Sequence, residues 1–202
     1  MIKAMKKWII ALFIVVLCIG IYTARTVDES IPQAKQGPIV IFGDSLVAGI
    51  GATEGNDLPS QLEKRLGKEV INAGVSGDST ERALGRINEV AVLDPGIVVV
   101  IVGGNDYLRK YPKETTLANI SEIIDKLHET GASVVLAGIS RMVYDRDYEK
   151  IAREKNVRFV PRLLDRTKGK EELMHDLVHP NDAGYAVFAD AIEPEIRKLL
   201  GQ

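Results

Sequence analysis

The chain of 202 residues contains a single cysteine, Cys18, and it lies inside an N-terminal apolar run. Downstream of that run no disulfide, thiolate metal site or cysteine nucleophile can form. A domain without disulfides fits either side of a membrane, so cysteine usage says nothing about compartment. Histidine is scarce too: His128, His175 and His179 are the only ones, which confines imidazole chemistry to a few positions. Neither G-x-G-x-x-G nor G-x-x-x-x-G-K-[ST] occurs, which counts against a nucleotide-binding loop. Positive charge is not in excess, since 26 Lys and Arg against 28 Asp and Glu leave a formal net charge of −2. Lys3, Lys6 and Lys7 precede the apolar run, so the remainder is more acidic still. Nucleic acid needs a concentrated basic surface and is disfavoured as a partner. Internal repeats and low-complexity tracts are absent.

What is present is the composition of a globular domain, 46% hydrophobic and 27% charged. Residues 1–7 are lysine-rich, and Trp8 to Tyr22 is apolar but for Gly20. A basic stretch followed by about 15 apolar residues reads as a secretory signal or a short membrane anchor. Spanning helices usually need about 17–25 residues, so this run is at the lower limit. Bulky Tyr22 disfavours a cut after Ala24, and Leu17 disfavours lipoprotein processing at Cys18. The expectation is an uncleaved anchor over residues 1–24 in contact with the membrane, its lysines inside and the domain outside the cytoplasm. Cleaved export is the alternative. Residues 25–37, with Pro32 and Gly37, read as a linker, and the main domain as 38–202.

From Ile39 onward, short apolar runs alternate with helical periodicity. Strands are expected at Ile39–Phe42, Val70–Ala73, Ile97–Val102, Ser133–Ile139 and Arg158–Val160. Helices are expected at Leu58–Leu66, Ser79–Leu93, Thr115–Thr130, Asp147–Lys155 and Ala183–Leu200. The run Ile-Val-Val-Val-Ile-Val is apolar on both faces, as a central parallel strand requires. Such alternation predicts an α/β three-layer sandwich with a five-stranded parallel sheet; the flavodoxin-like order 2-1-3-4-5 is expected by analogy with folds of that strand number, not from the pattern itself. Ligands of such sheets bind beyond the carboxyl ends of the strands.

Four motifs fall at such ends or in loops that reach them. Gly43-Asp44-Ser45-Leu46 follows the first strand and places a hydroxyl at the top of the sheet; a helix-capping serine would look the same. Asn72 to Asp78 holds Gly74 and Gly77, which let backbone N–H groups approach a ligand, or merely make a tight turn. Gly103-Gly104-Asn105-Asp106 follows the central strand and offers an amide donor. Asp176-Leu177-Val178-His179 sets an acid three residues before a base, a spacing that a plain Asx turn also produces. A carboxylate so placed can fix the imidazole tautomer and stabilise the imidazolium. His175 lacks that forward spacing, and His128 belongs to the polar face of a helix.

As an ordered set, Ile-Phe-Gly-Asp-Ser-Leu (41–46), Asn-Ala-Gly-Val-Ser-Gly-Asp-Ser-Thr (72–80), Val-Gly-Gly-Asn-Asp (102–106) and Asp-Leu-Val-His-Pro-Asn (176–181) resemble the SGNH, or GDSL, hydrolase family. The likeness is greatest to its arylesterase and acyl-CoA thioesterase/lysophospholipase branch, and runs from about Pro38 to the C-terminus. It implies an esterase or thioesterase with Ser45 as nucleophile, His179 as base and Asp176 as its orienting acid. It further implies an oxyanion hole made by the N–H groups of Ser45 and Gly77 and the amide of Asn105, with no metal or organic cofactor. Leu177 departs from the pattern, since the family often has glycine or alanine there. The loops carrying Tyr107, Leu108 and Tyr111, and Met142 and Tyr144, are the expected borders of an acyl pocket. A small acyl ester is therefore the expected substrate, a lysophospholipid or other single-chain ester if the domain is extracytoplasmic. A carbohydrate O-acetyl esterase and a tethered module with a vestigial site are the alternatives.

Overall fold

In the computed structural model, residues 31–202 are described. Five strands, β1 (Ile39–Gly43), β2 (Val70–Gly74), β3 (Ile97–Ile101), β4 (Ser133–Ala137) and β5 (Arg158–Val160), are joined by α1 (Ser45–Ala48), α2 (Leu58–Leu66), α3 (Thr80–Gly85), α4 (Ile87–Ala91), α5 (Gly104–Leu108), α6 (Lys113–Glu129) and α7 (Asp145–Glu154), and α8 (Asp182–Leu199) follows β5. All pairings are parallel and the spatial order is β2-β1-β3-β4-β5. Strands β1 and β3 are buried at every position, because they lie inside the sheet and helices cover both faces.

Side chains alternate between those faces. Val40, Phe42, Val98, Val100, Val134 and Leu136 pack on one side with Ala83, Ile87, Ile120, Ile124, Leu127 and Tyr148, from the helices α3, α4, α6 and α7. On the other side α2 and α8 lie against each other, α2 against β2 and α8 against β4 and β5. The result is the three-layer α/β sandwich with the flavodoxin-like order.

Local chemistry sets the element ends. Asp57 caps α2 by accepting from the Ser60 N–H at 2.9 Å, and Gly67 ends that helix at φ +61°. Asn181 caps α8 by accepting from the Gly184 N–H at 3.1 Å. The single helix expected over 79–93 is two, α3 and α4, parted at Arg86 (φ −109°, ψ 13°). Gly85 weakens the helix just there, and the Arg86 side chain turns inward to the strand ends. Strand β4 stops at Ala137, two residues before the expected end: the Gly138 N–H donates to the Val160 carbonyl at 2.8 Å as the last rung with β5, and the Gly138 and Ile139 carbonyls then accept from the N–H groups of Leu163 and Leu164, beyond that short strand. The short helices α1 and α5 were not foreseen; neither is long enough to show a period.

The expected anchor over 1–24 lies outside the described residues, as do residues 25–30 of the expected linker. The chain is tied to the domain from Ala34, whose N–H donates to the Leu199 carbonyl at 2.8 Å. Lys35 pairs with Asp94 and donates to the Thr130 carbonyl. Among the described residues no helix is long and apolar enough to cross a membrane.

Candidate active site

Where β1 and β3 lie side by side, the chain leaves β1 towards β2 and leaves β3 towards β4, so a crevice opens between their carboxyl ends. Ser45 opens α1 just past β1, and Asn105 sits in α5 just past β3. Close packing makes room for both. A Cβ on Gly74 would come within 2.2 Å of the Ala48 nitrogen, so only glycine lets α1 lie on the end of β2. Gly103 has φ +104°, and a Cβ there would meet the Tyr148 hydroxyl at 2.0 Å. That hydroxyl donates to the Val102 carbonyl at 2.9 Å and secures the end of the central strand.

His179 arrives from the opposite end of the chain. Its loop is closed by an antiparallel bridge between Met174 and Pro180 and by the His175 N–H donating to the His179 carbonyl at 2.9 Å. Asp176 does two things at once. Its Oδ1 accepts from the Val178 and His179 N–H groups, both at 2.8 Å, which is the Asx turn. Its Oδ2 lies 2.7 Å from His179 Nδ1, and His179 Nε2 lies 3.0 Å from Ser45 Oγ. The side-chain bond to His179, backed by the two backbone N–H groups, lowers the Asp176 carboxyl to about 2. An ionised carboxylate only accepts, so Nδ1 carries the proton and Nε2 of the neutral ring accepts from the Ser45 hydroxyl. The arrangement can therefore take a proton from serine as the oxygen attacks.

Asn105 is held by two acceptors: its Nδ2 donates to the Asp78 carbonyl at 2.9 Å and to Asp44 Oδ2 at 3.3 Å. Gly77 occupies the turn after β2 at φ +79°, and its carbonyl accepts from Arg109 Nη2 at 3.0 Å. Asp44 is 2% exposed and caps α1 through the Leu46 N–H at 3.0 Å. Burial raises the Asp44 carboxyl to about 6, against the lowering effects of the Leu46 N–H and of His179.

A folded-state value above the unfolded one means that Asp44 takes up a proton on folding between about pH 4 and pH 6. Its neutral form stabilises the fold fully below pH 4, and that contribution is lost as pH rises through about 6. Asp44→Asn should then exceed the wild type in Tm by several degrees at pH 8 and match it at pH 4. Thermal melts at both pH values check this, and an unchanged difference between them would remove the burial cost.

Beside Ser45 and His179 opens a cavity of about 180 Å³. Of the expected pocket residues, Tyr107, Leu108 and Met142 line it. Tyr111 and Tyr144 are not among its lining residues. Tyr144 instead meets Tyr107 edge-to-face at 6.0 Å, and Tyr111 stays 40% exposed. The floor is Ile139, Val143, Leu164 and Val178, with Lys168 at the side. Val143 belongs to the 140–148 loop that the sequence offers for an acyl chain; the other four carry no such signal. Ile139 was read as strand and Leu164 sits in a 3-10 turn after β5, so no period marked them. Leu177 is 86% exposed and points away from the packed interior. His128 is exposed at the end of α6, and His175 lines a separate surface hollow with Asp176 and Leu177. Among the described residues no group of three or more His, Cys, Asp or Glu is gathered in a way that could hold a metal ion.

Residues 41–187 match the GDSL-like Lipase/Acylhydrolase family. An arylesterase of Vibrio mimicus is 32% identical over 181 residues, 80% of this chain and 89% of that protein. Thioesterase 1/protease 1/lysophospholipase L1 of Escherichia coli K12 is 26% identical, over 83% of this chain and 86% of that one. Among solved structures, TesA superposes with a TM-score of 0.76 at 28% identity, covering 81% of this chain and 99% of the other. The SGNH-hydrolase family esterase AlinE4 does so at 0.64 and 30% identity, covering 82% and 98%.

Proposed function

The chain belongs to the GDSL-like lipase/acylhydrolase family, and from that premise we propose that it cleaves carboxylic esters and thioesters through an acyl-enzyme on Ser45. That it is a hydrolase of ester-type bonds follows from the family; the residue roles and the substrate are our reading. The observation that carries it is the unbroken line Ser45 Oγ–His179 Nε2 and His179 Nδ1–Asp176 Oδ2, closed between residues 134 apart in the chain.

In the first half-reaction Ser45 Oγ attacks the acyl carbon while His179 Nε2 takes the hydroxyl proton. The carbonyl oxygen becomes an oxyanion, for which the N–H groups of Ser45 and Gly77 and the amide of Asn105 are the donors. Such donors are typically worth about 3–4 kcal/mol each, because they are fixed before charge develops. The tetrahedral adduct collapses, the bond to the leaving oxygen or sulfur breaks, and His179 hands that atom its proton. Water then repeats the sequence on the acyl-enzyme, releasing the acid and restoring Ser45. Asp176 orients the ring and stabilises the imidazolium throughout.

The acyl group is assigned to the cavity between Tyr107, Leu108, Met142 and Val143, whose walls are mainly apolar. At about 180 Å³ it is well below the roughly 300–1,000 Å³ of pockets for larger ligands. Esters of short acyl groups, aryl esters among them, enter with the leaving group outside it. The lysine-flanked apolar run at the N-terminus is read as an anchor that keeps this site outside the cytoplasm and close to a lipid surface.

The test is a series of p-nitrophenyl esters from two to sixteen carbons, with an organophosphonate label traced by mass spectrometry. We expect an optimum at about four to eight carbons, a steep fall by sixteen, and label on Ser45. An optimum at two carbons would turn the reading towards acetyl esters, and an unlabelled, inactive protein would overturn it.

A further inference from the structure

One buried cation behind the site has no part in the chemistry described above. Arg86 stands at the break between α3 and α4, with its side chain only 13% exposed. Its Nη2 donates to the Gly43 carbonyl at 2.9 Å, its Nη1 to the Ala73 carbonyl at 3.0 Å, and its Nε to Asp78 Oδ2 at 2.6 Å. The guanidinium carbon lies 4.4 Å over the Phe42 ring. Each of these partners adjoins a piece of the oxyanion site. Gly43 ends the strand that delivers Ser45, and its carbonyl also accepts from the Val75 N–H at 3.0 Å. Ala73 is the penultimate residue of β2, just before the Gly74–Asp78 turn that carries Gly77. Asp78 ends that turn, and its carbonyl is the acceptor that holds the Asn105 amide.

We propose that Arg86 is a positioning residue of the oxyanion site, holding the carboxyl ends of β1 and β2 and the Gly74–Asp78 turn at the spacing that brings Ser45, Gly77 and Asn105 to one oxygen. This rests on the serine-hydrolase reading above. The physical need is plain. A carbonyl oxygen can accept two hydrogen bonds, and at Gly43 one comes from the Val75 N–H and the other from Arg86, so the guanidinium ties strand ends that the ladder alone pairs only once. A planar fork of five N–H donors can serve two backbone carbonyls and a carboxylate at once, which a lysine ammonium cannot do with the same geometry. Asp78, 1% exposed, offsets the charge and is in turn held by it. Because the three contacts leave one rigid group, a shift in any of the three segments is resisted by the other two. A displacement of about 1 Å in such a frame can cost on the order of 10²-fold in rate.

A double-mutant cycle in the full chain separates this role from plain stabilisation. Asn105→Ala alone should lower kcat by about 10²–10³-fold. Arg86→Met should lower kcat by about 10–100-fold, with KM within about threefold, when measured on folded protein well below its Tm. Added to Asn105→Ala, the same change should cost much less than it does in the wild type, because the donor it positions is gone. Arg86→Lys should fall between, since it keeps the charge but loses the fork. Should Arg86→Met not fold, Arg86→Met with Asp78→Asn removes the buried carboxylate, which would be left with Arg82 at 3.4 Å, and Arg86→Lys gives the same kcat-against-KM comparison. Unchanged kcat in the folded variants, or equal losses in both backgrounds, would overturn the proposal and leave Arg86 a stabilising residue. Failure of the phosphonate to label Ser45 in the wild type would instead sink the serine-hydrolase reading itself.

Discussion

Replacing Ser45 by alanine is expected to abolish ester hydrolysis, with kcat falling by about 10⁶-fold while the protein stays folded and its KM for residual turnover changes little. The reason is that the other groups have nothing to act on without the nucleophile. His179 can still hydrogen-bond to Asp176 at 2.7 Å, and Asn105 is held by Asp78 and Asp44 rather than by Ser45. A residue of about 10³–10⁴ over the uncatalysed rate should persist, because oxyanion donors and a bound acyl group still favour attack by water. Stability should hardly move, since Ser45 is partly exposed and its hydroxyl contributes no core packing. The measurement is kcat on the best p-nitrophenyl ester beside a thermal melt of the same sample. Retention of more than about a hundredth of wild-type kcat in a folded variant would move the nucleophile elsewhere.

How far this site could be read beforehand depends on what each residue announces. Ser45, Asn105 and the Asp176/His179 pair are functional groups in short patterns beside strand ends, and strands β1 and β3 are conspicuous because their apolar runs are buried on both faces. Sheet order is not in the alternation itself; it comes from likeness to flavodoxin-like folds with five such strands, and the observed order agrees. What stayed hidden has no period or pattern of its own. Helices α1 and α5 span four and five residues, too few for a 3.6-residue repeat to appear. The cavity-floor residues Ile139, Leu164 and Val178 are drawn from three separate loops, and an apolar residue in a loop looks the same whether it lines a pocket or fills a gap. Tyr144 was an attractive pocket candidate by type, yet it has φ +53° and its ring turns to Tyr107 and Lys113. Arg86 reads in sequence as one more charge on a helix; only the folded strand ends reveal its three acceptors.

The pH behaviour and the response to Asp176→Asn are linked through one carboxylate. With Asp176 drawn down to about 2 by His179 and two backbone N–H groups, it remains ionised over the whole range in which activity can be measured. The acid limb of kcat/KM therefore does not report protonation of Asp176. The sign for stability follows: a carboxyl lowered on folding contributes above its unfolded value near 4, and that contribution disappears as pH falls through about 2. The contribution is small, because the Asp176 side chain is 45% exposed and the pair is screened by solvent. Asp176→Asn should accordingly leave Tm almost unchanged while lowering kcat by about 10⁴-fold at neutral pH. An asparagine oxygen can keep the Asx turn or face His179, but it carries no charge to stabilise the imidazolium, and its amide favours the tautomer with the proton on Nε2. That tautomer cannot accept from Ser45. Loss of activity with an unaltered melt separates orientation of the base from folding of the loop, and near-normal turnover in the variant would take Asp176 out of the proton chain.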